Sequence, residues 1–368
     1  MGNIEENEID HGIFACNGCG SDLKYKPGTK NLNCAHCGSE NEIPQLEGNF
    51  HELNFHEYLE KKSSSEETIT ENFAKCENCG ASSSLENNVV SANCPYCTTP
   101  LNVENTKDEE IILPKAILPF NFDKKNAKIK FKKWINKLWF APNQLKKATL
   151  NFDNFKGVYI PYWTYDTDTT SNYTGQRGDY YYETETYTET VDGKQETKTR
   201  EVRRTRWTSV RGNIYHLFDD ILVVGSTSLP EKYIYKLEPW DLNNLVPFDK
   251  SYLRGFITEK YQVNLGDGFE KAKKIIDPKI RSMIKRDIGG DQQRIISKNT
   301  NYDDITFKHL LLPVYVSAYK YNNKVYQFLV NGRTGEVQGQ RPYSWIKITL
   351  AILLTVTIIA CIVYMYKN

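Results

Sequence analysis

CNGCGSDLKYKPGTKNLNCAHC, residues 16–37, and its echo CENCGASSSLENNVVSANCPYC, residues 76–97, decide how this 368-residue chain begins to fold. Each holds two Cys-x-x-Cys knuckles, Cys16/Cys19 with Cys34/Cys37 and Cys76/Cys79 with Cys94/Cys97, separated by fourteen residues in both copies. Two thiolates three residues apart present one face of a tetrahedral metal site, and a second knuckle closes it. Gly20, Gly38 and Gly80 follow three of the knuckles, where a small residue lets backbone N–H groups turn toward sulfur. Four thiolates without redox duty suit Zn²⁺, with iron in a rubredoxin-like site as the competitor. No secretory signal precedes the cysteines, which argues against disulfides. The expectation is two structural zinc ribbons, 12–47 and 72–105, each stabilised by its ion and with no open coordination position.

Outward from the ribbons, the segment 48–71 contains Lys61-Lys62-Ser63-Ser64-Ser65-Glu66-Glu67 and reads as a flexible linker. Asn105–Glu110 reads as a second polar joint. The net charge of +1 hides an uneven split, because residues 1–110 carry 20 acidic and 7 basic side chains, net −13. Two Zn(Cys)₄ centres would add about −2 each. Phosphate backbones need a basic footprint, and this acidic region argues against nucleic acid as a partner of the ribbons. With 24 Tyr, 16 Phe and 6 Trp the chain can fill a core, which excludes wholesale disorder.

Residues 113–342 read as one α+β domain with a substantial antiparallel sheet. Phe131, Trp134, Ile135, Leu138 and Trp139 recur at helical spacing, predicting an apolar face on a helix over 126–147. Phe269–Arg286 is a second helix, which Pro278 should interrupt. Gly157–Tyr165, Ile221–Val224, Leu311–Tyr321 and Val325–Val330 are rich in β-branched and aromatic residues, as strands are. Asn331-Gly332 and Thr334-Gly335 signal turns before Val337. Between 167 and 211, Asp192-Gly193 separates two long alternating polar runs, the signature of a hairpin. It sets Glu185 against Arg200, Tyr187 against Lys198 and Tyr182 against Arg203, with Glu189 unfavourably facing Glu196. With neither face apolar, this hairpin should project as an arm whose edges can pair with another chain, making a homo- or hetero-oligomer.

Ile348–Tyr366 contains nineteen uncharged residues, about 28 Å as a helix against a hydrocarbon core of about 30 Å. Trp345 and Lys347 flank one end, and Tyr364, Tyr366 and Lys367 the other, as interfacial anchors. The segment 346–366 is therefore expected to be a transmembrane helix, with the lipid bilayer as partner. Metal-binding thiols belong in a reducing compartment, which places the bulk of the chain in the cytoplasm and the anchor in the cell (inner) membrane, single-pass. Ten lysines against Asp123 between Lys115 and Lys147 could lie on an anionic surface, although a solvated helix face explains them as well.

Chemistry elsewhere is thin. His51 and His56 have five-residue spacing, not the four of a metalloprotease helix, Asp287–Asp291 reads as a turn, and no Walker sequence occurs. His216 with Asp219-Asp220, the lone His309 and Cys361 lack partners for catalysis. The chain reads as a non-enzyme with no catalytic residues.

Beyond the ribbons, LPF (Leu118–Phe120), WFAPN (Trp139–Asn143), GVYIPYWTYD (Gly157–Asp166), PWDL (Pro239–Leu242), DIGGDQQRI (Asp287–Ile295) and the block Ile305–Ser344 carry a resemblance. With the terminal apolar helix, the chain resembles bacterial double-zinc-ribbon, tail-anchored membrane proteins often labelled primosomal-protein-N′-like or phage replication proteins. Members of that family occur beside SPFH (flotillin-like) and phage-shock-protein-A-like proteins. The resemblance implies an envelope-stress role as a recruitment platform for those partners. The alternative reading is a nucleic-acid-binding or replication-associated factor at the membrane.

Overall fold

The computed structural model describes residues 15–45, 52–61, 68–84, 92–101, 106–143, 155–191, 194–321 and 324–367. The body is built on a mixed sheet whose long strands are β11 (Lys156–Val191), β12 (Lys194–Val224) and β15 (Gln292–Tyr321). Strand β11 lies between the other two, antiparallel to both. Strands β16 (Lys324–Asn331) and β17 (Val337–Gly339) continue the sheet, with Val330 opposite Val337 across the expected turns. Two short strands pair in parallel, β10 (Ala116–Ile117) on β15 and β14 (Ile257–Thr258) on β11, while β13 (Val246–Pro247) pairs antiparallel with β10.

Alternation along these strands fills both faces, so they read as nearly continuous apolar runs. Ile117, Tyr159, Leu311 and Tyr315 look to one face and pack against helix α2 (Lys124–Lys137). Ala116, Val158, Ile160, Tyr162, Leu310, Leu312 and Val314 look to the other, where Leu229, Ile234 and Leu237 cover them. Farther along, Trp163, Tyr165 and Phe307 meet helix α3 (Leu265–Ile288).

Helix α3 starts at Asn264, whose side chain accepts from the Asp267 N–H, and stops at Gly289 with φ 66°. It runs straight through Pro278, contrary to expectation. Phe269, Ala272, Ile276, Ile280, Ile284 and Ile288 make one buried stripe, while Pro278 sits on the exposed side. Burial of that stripe outweighs the one backbone hydrogen bond the ring removes. Helix α2 is shorter than the apolar spacing predicts. It ends at Lys137, leaving Phe131 and Ile135 buried, Trp134 and Leu138 half-buried and Trp139 exposed. Residues 144–147 lie outside the described residues.

Strands β11 and β12 pair from Tyr162/Val224 to Val191/Lys194, with Glu185 opposite Arg200, Tyr187 opposite Lys198, Tyr182 opposite Arg203 and Glu189 opposite Glu196. Asp192-Gly193 itself lies outside the described residues. Strand β15 accompanies β11 as far as Gly178/Gln292, and Ile288 at the end of α3 shares a buried cluster with Tyr173 there. Among the described residues, the outer part from Asp179 to Val191 and from Lys194 to Arg206 pairs only β11 with β12. Aromatic rings there carry guanidinium groups, with Arg203 4.3 Å from the Tyr180 centroid and Arg206 5.2 Å from Tyr181.

The described residues of the two expected joints are in regular elements or packed on the body. Strand β4 (Leu53–Asn54) pairs with β15, and helix α1 (Phe55–Lys61) packs Phe55 and Tyr58 beside Phe269 and Phe307. Glu52 accepts from Lys308 at 2.9 Å and Thr306 at 2.6 Å. Strands β5 (Thr68–Lys75) and β9 (Thr106–Ile112) pair from Thr68/Ile112 to Ala74/Thr106, reaching into what read as polar connections. Polar side chains misled the sequence reading because these strands use backbone hydrogen bonds and bury few side chains. Residues 62–67 lie outside the described residues.

Candidate metal centres

In the first ribbon, β1 (Leu23–Tyr25), β2 (Asn31–Cys34) and β3 (Glu40–Glu42) form a three-stranded meander. The knuckles sit at its end, and backbone bonds from Gly20 to Cys16 and from Gly38 to Cys34 close them. The second ribbon repeats this with β6 (Ser82–Ser84) on β5, and with β7 (Ala92–Asn93) paired to β8 (Pro100–Leu101). Its knuckles close through Gly80 to Cys76 and Thr98 to Cys94. Gly20, Gly38 and Gly80 have φ between 72° and 76°, in the left-handed region that favours glycine. Thr98, at φ 64°, holds the same conformation against its β-branch.

The four sulfurs of each ribbon lie within 4.8 Å of one another. Cys16 and Cys37 are 3.5 Å apart, Cys19 and Cys34 3.6 Å, and both Cys76–Cys97 and Cys79–Cys94 3.5 Å. Four Zn–S bonds of about 2.3 Å in a tetrahedron put sulfurs about 3.8 Å apart, so both sets fit one ion. Local donors favour thiolate at some of these cysteines, while burial and neighbouring thiols push Cys34 and Cys76 up. The Ser39 hydroxyl lies 2.8 Å from Cys16 Sγ and draws that thiol down, and the Ser21 hydroxyl and N–H hold Cys19 at about 6. Hydrogen bonding with Cys94 holds Cys79 at about 5 and pushes the Cys94 thiol well up. All eight sequence-predicted ligands are thus brought together in two sets of four.

The setting of these centres departs from the expectation of tethered modules, because both ribbons are bound to the body. Ribbon one packs Leu23, Tyr25, Leu32 and Ile43 into the core with Phe120 and Tyr252. Its backbone joins as well, with Tyr25 N donating to Arg254 O at 3.0 Å and Gly28 N to Phe120 O at 2.9 Å. Ribbon two docks on the opposite face through Tyr96, between Cys94 and Cys97. Its ring is fully buried and its hydroxyl donates to Glu259 at 2.7 Å, while Gln327 donates to its carbonyl at 2.9 Å. Glu259, 2% exposed, also accepts from Ser226, Ser228 and Gln262. Burial pushes its carboxyl up, and these four donors work against that rise. Nothing local in either ribbon marks Tyr25 or Tyr96 as a contact, so the docking has no signature in the ribbon motifs.

Other candidates fall away. Asp166, Asp219 and Asp220 converge, but Lys308 pairs with Asp220 at 3.0 Å within the same group. His309 is buried against Trp163 and Tyr261. Asp287–Asp291 is the turn ending α3, with Asp291 accepting from the Tyr180 N–H. Helix α4 (Trp345–Lys367) contains the flanks Trp345, Lys347 and Lys367; it is long and apolar enough to span a membrane, and none of it is buried.

The chain is 27% identical over 327 aligned residues to "Uncharacterized protein YdjG" of Bacillus subtilis (strain 168), an alignment covering 73% of this chain and 90% of that protein. No family model matches the chain. No solved structure matches it.

Proposed function

We propose that this is a non-enzymatic membrane protein that carries two structural Zn²⁺ ions and serves as a recruitment platform for envelope-stress proteins. Helix α4 is its single-pass anchor in the cell (inner) membrane, and the body faces the cytoplasm. The observation that carries the reading is the fusion of both Cys₄ centres into one body that also grips the start of α4. A display surface held at fixed orientation to a bilayer binds a membrane-associated partner without first ordering a linker. The family resemblance supplies the partner class, SPFH or phage-shock-protein-A-like proteins. The outer hairpin is the second element of the display. Beyond Gly178 the edge of β11 has no partner strand among the described residues, so it offers a row of backbone donors and acceptors to another chain.

The test is a crosslinking pull-down from native membranes using the intact chain and a variant in which Gly replaces 181–204. The intact chain should recover an SPFH or phage-shock-protein-A-like protein, and the variant much less of it. Protease added to spheroplasts should leave the ribbons uncut. Recovery of neither protein class, or cleavage of the ribbons from outside, would defeat the proposal.

A further inference from the structure

The loop after α2 holds its aromatics where water should meet them. Trp139 is 76% exposed and Phe140 40%. Four hydrogen bonds tie this loop to Ser344 and Lys347 at the start of α4. Lys347 Nζ donates to the carbonyls of Trp139 at 3.1 Å and Ala141 at 2.9 Å and to Asn143 Oδ1 at 2.8 Å, while Ser344 N donates to Phe140 O at 2.8 Å. All three ammonium protons are used. Lys347 is therefore a clamp on the loop rather than a free headgroup anchor. The loop backbone sits beside Trp345 and Ile346, themselves 80% and 75% exposed, and must share their depth.

The chain leading into the loop carries charge of one sign. No acidic residue lies between Asp123 and Asn143, and Lys133 and Lys137, one turn apart at the end of α2, are exposed. Indole and phenyl rings beside lysines fit the headgroup layer, where the rings take an amphipathic boundary and the ammonium groups meet lipid phosphate.

We propose that Trp139 and Phe140 insert into the same leaflet that α4 enters, and that Lys133 and Lys137 bias this contact toward anionic lipid. The contact would fix the tilt of the body over the bilayer, and with it the height of both metal centres. The inference rests on α4 spanning the membrane.

The test uses the full chain in phosphatidylcholine vesicles, with or without phosphatidylglycerol, and brominated acyl chains as tryptophan quenchers. Trp139→Phe and Trp345→Phe should each remove a clear share of the quenching, because the other four tryptophans lie in the body. Phosphatidylglycerol should raise the Trp139 share about twofold, and Lys133→Gln with Lys137→Gln should abolish that gain. If Trp345→Phe removes quenching and Trp139→Phe does not, the loop contact is overturned while the anchor stands. If neither matters, the anchor reading fails with it. A gain that survives loss of both lysines overturns the lipid preference.

Discussion

His309 provides a quantitative test of the packing between β9 and β15. Its ring is 2% exposed, with Nδ1 2.8 Å from the Ile112 carbonyl and its centroid 4.9 Å from that of Trp163. The contact requires Nδ1 to donate, which leaves Nε2 as a buried lone pair without a partner. Protonating Nε2 would put a cation where nothing accepts its hydrogen. Burial accordingly pulls the imidazole from 6.5 to about 4. Between these values the unfolded chain binds more protons than the folded one, so stability rises with pH. It is complete above about 6.5 and is lost as pH falls toward 4. At 1.36 kcal/mol per unit the loss amounts to about 3 kcal/mol. Denaturant melts of the full chain in micelles, followed by tryptophan emission from pH 7.5 to 4.5, should show this slope. His309→Gln should be less stable at pH 7.5 but lack this component, so the difference between the two proteins should shrink by about 3 kcal/mol toward pH 4.5. Acid loss of the metal ions affects both proteins and cancels in the difference. Parallel curves, or a His309 NMR titration midpoint near 6.5, would refute the account.

Three further outcomes follow from the geometry. Metal analysis of the full chain should give two ions per chain, and Cys94→Ser should reduce this to one, whereas an unchanged count would remove Cys94 from the ligand set. Tyr96→Phe leaves Glu259 short of one donor in a buried site and should cost about 1–3 kcal/mol, read as faster chelator extraction from ribbon two and not from ribbon one. Gly28→Ala meets a backbone with φ 82° and would put a Cβ 2.7 Å from the Asn121 carbonyl, so proteolysis should detach ribbon one from the body sooner than in the parent chain.

What the sequence made legible was local. Cys-x-x-Cys spacing is readable because a knuckle is made by its own backbone, and all eight ligands fall where the spacing puts them. The register of β11 on β12 is equally local from Val191/Lys194 to Thr167/Phe218, and only at Asp166 does a bulge shift it by one residue. The end of α2 was not legible. Trp139 follows the helical period, but Lys347, 208 residues away, holds the loop in another conformation. Nor was the docking of the ribbons. Tyr25 meets Phe120 across 95 residues and Tyr96 meets Glu259 across 163, and no pattern within either ribbon records those partners.

This difference bears on how the metal centres work. A tethered Cys₄ ribbon buries little and depends on its ion for almost all its stability. Here Leu23, Tyr25, Leu32 and Ile43 on one face, and Ala74, Tyr96 and Leu101 on the other, belong to cores shared with the sheet. Shared burial of this kind should let a ribbon keep its place while the ion is absent, with the thiolates still grouped for rebinding. The two centres also differ in access. Cys19 and Cys37 are exposed in the first, whereas three of the four cysteines in the second, Cys76, Cys94 and Cys97, are buried. A chelator should therefore empty the first centre before the second. Ribbon one would give up its ion with the body still folded, and ribbon two only as the Tyr96–Glu259 contact opens.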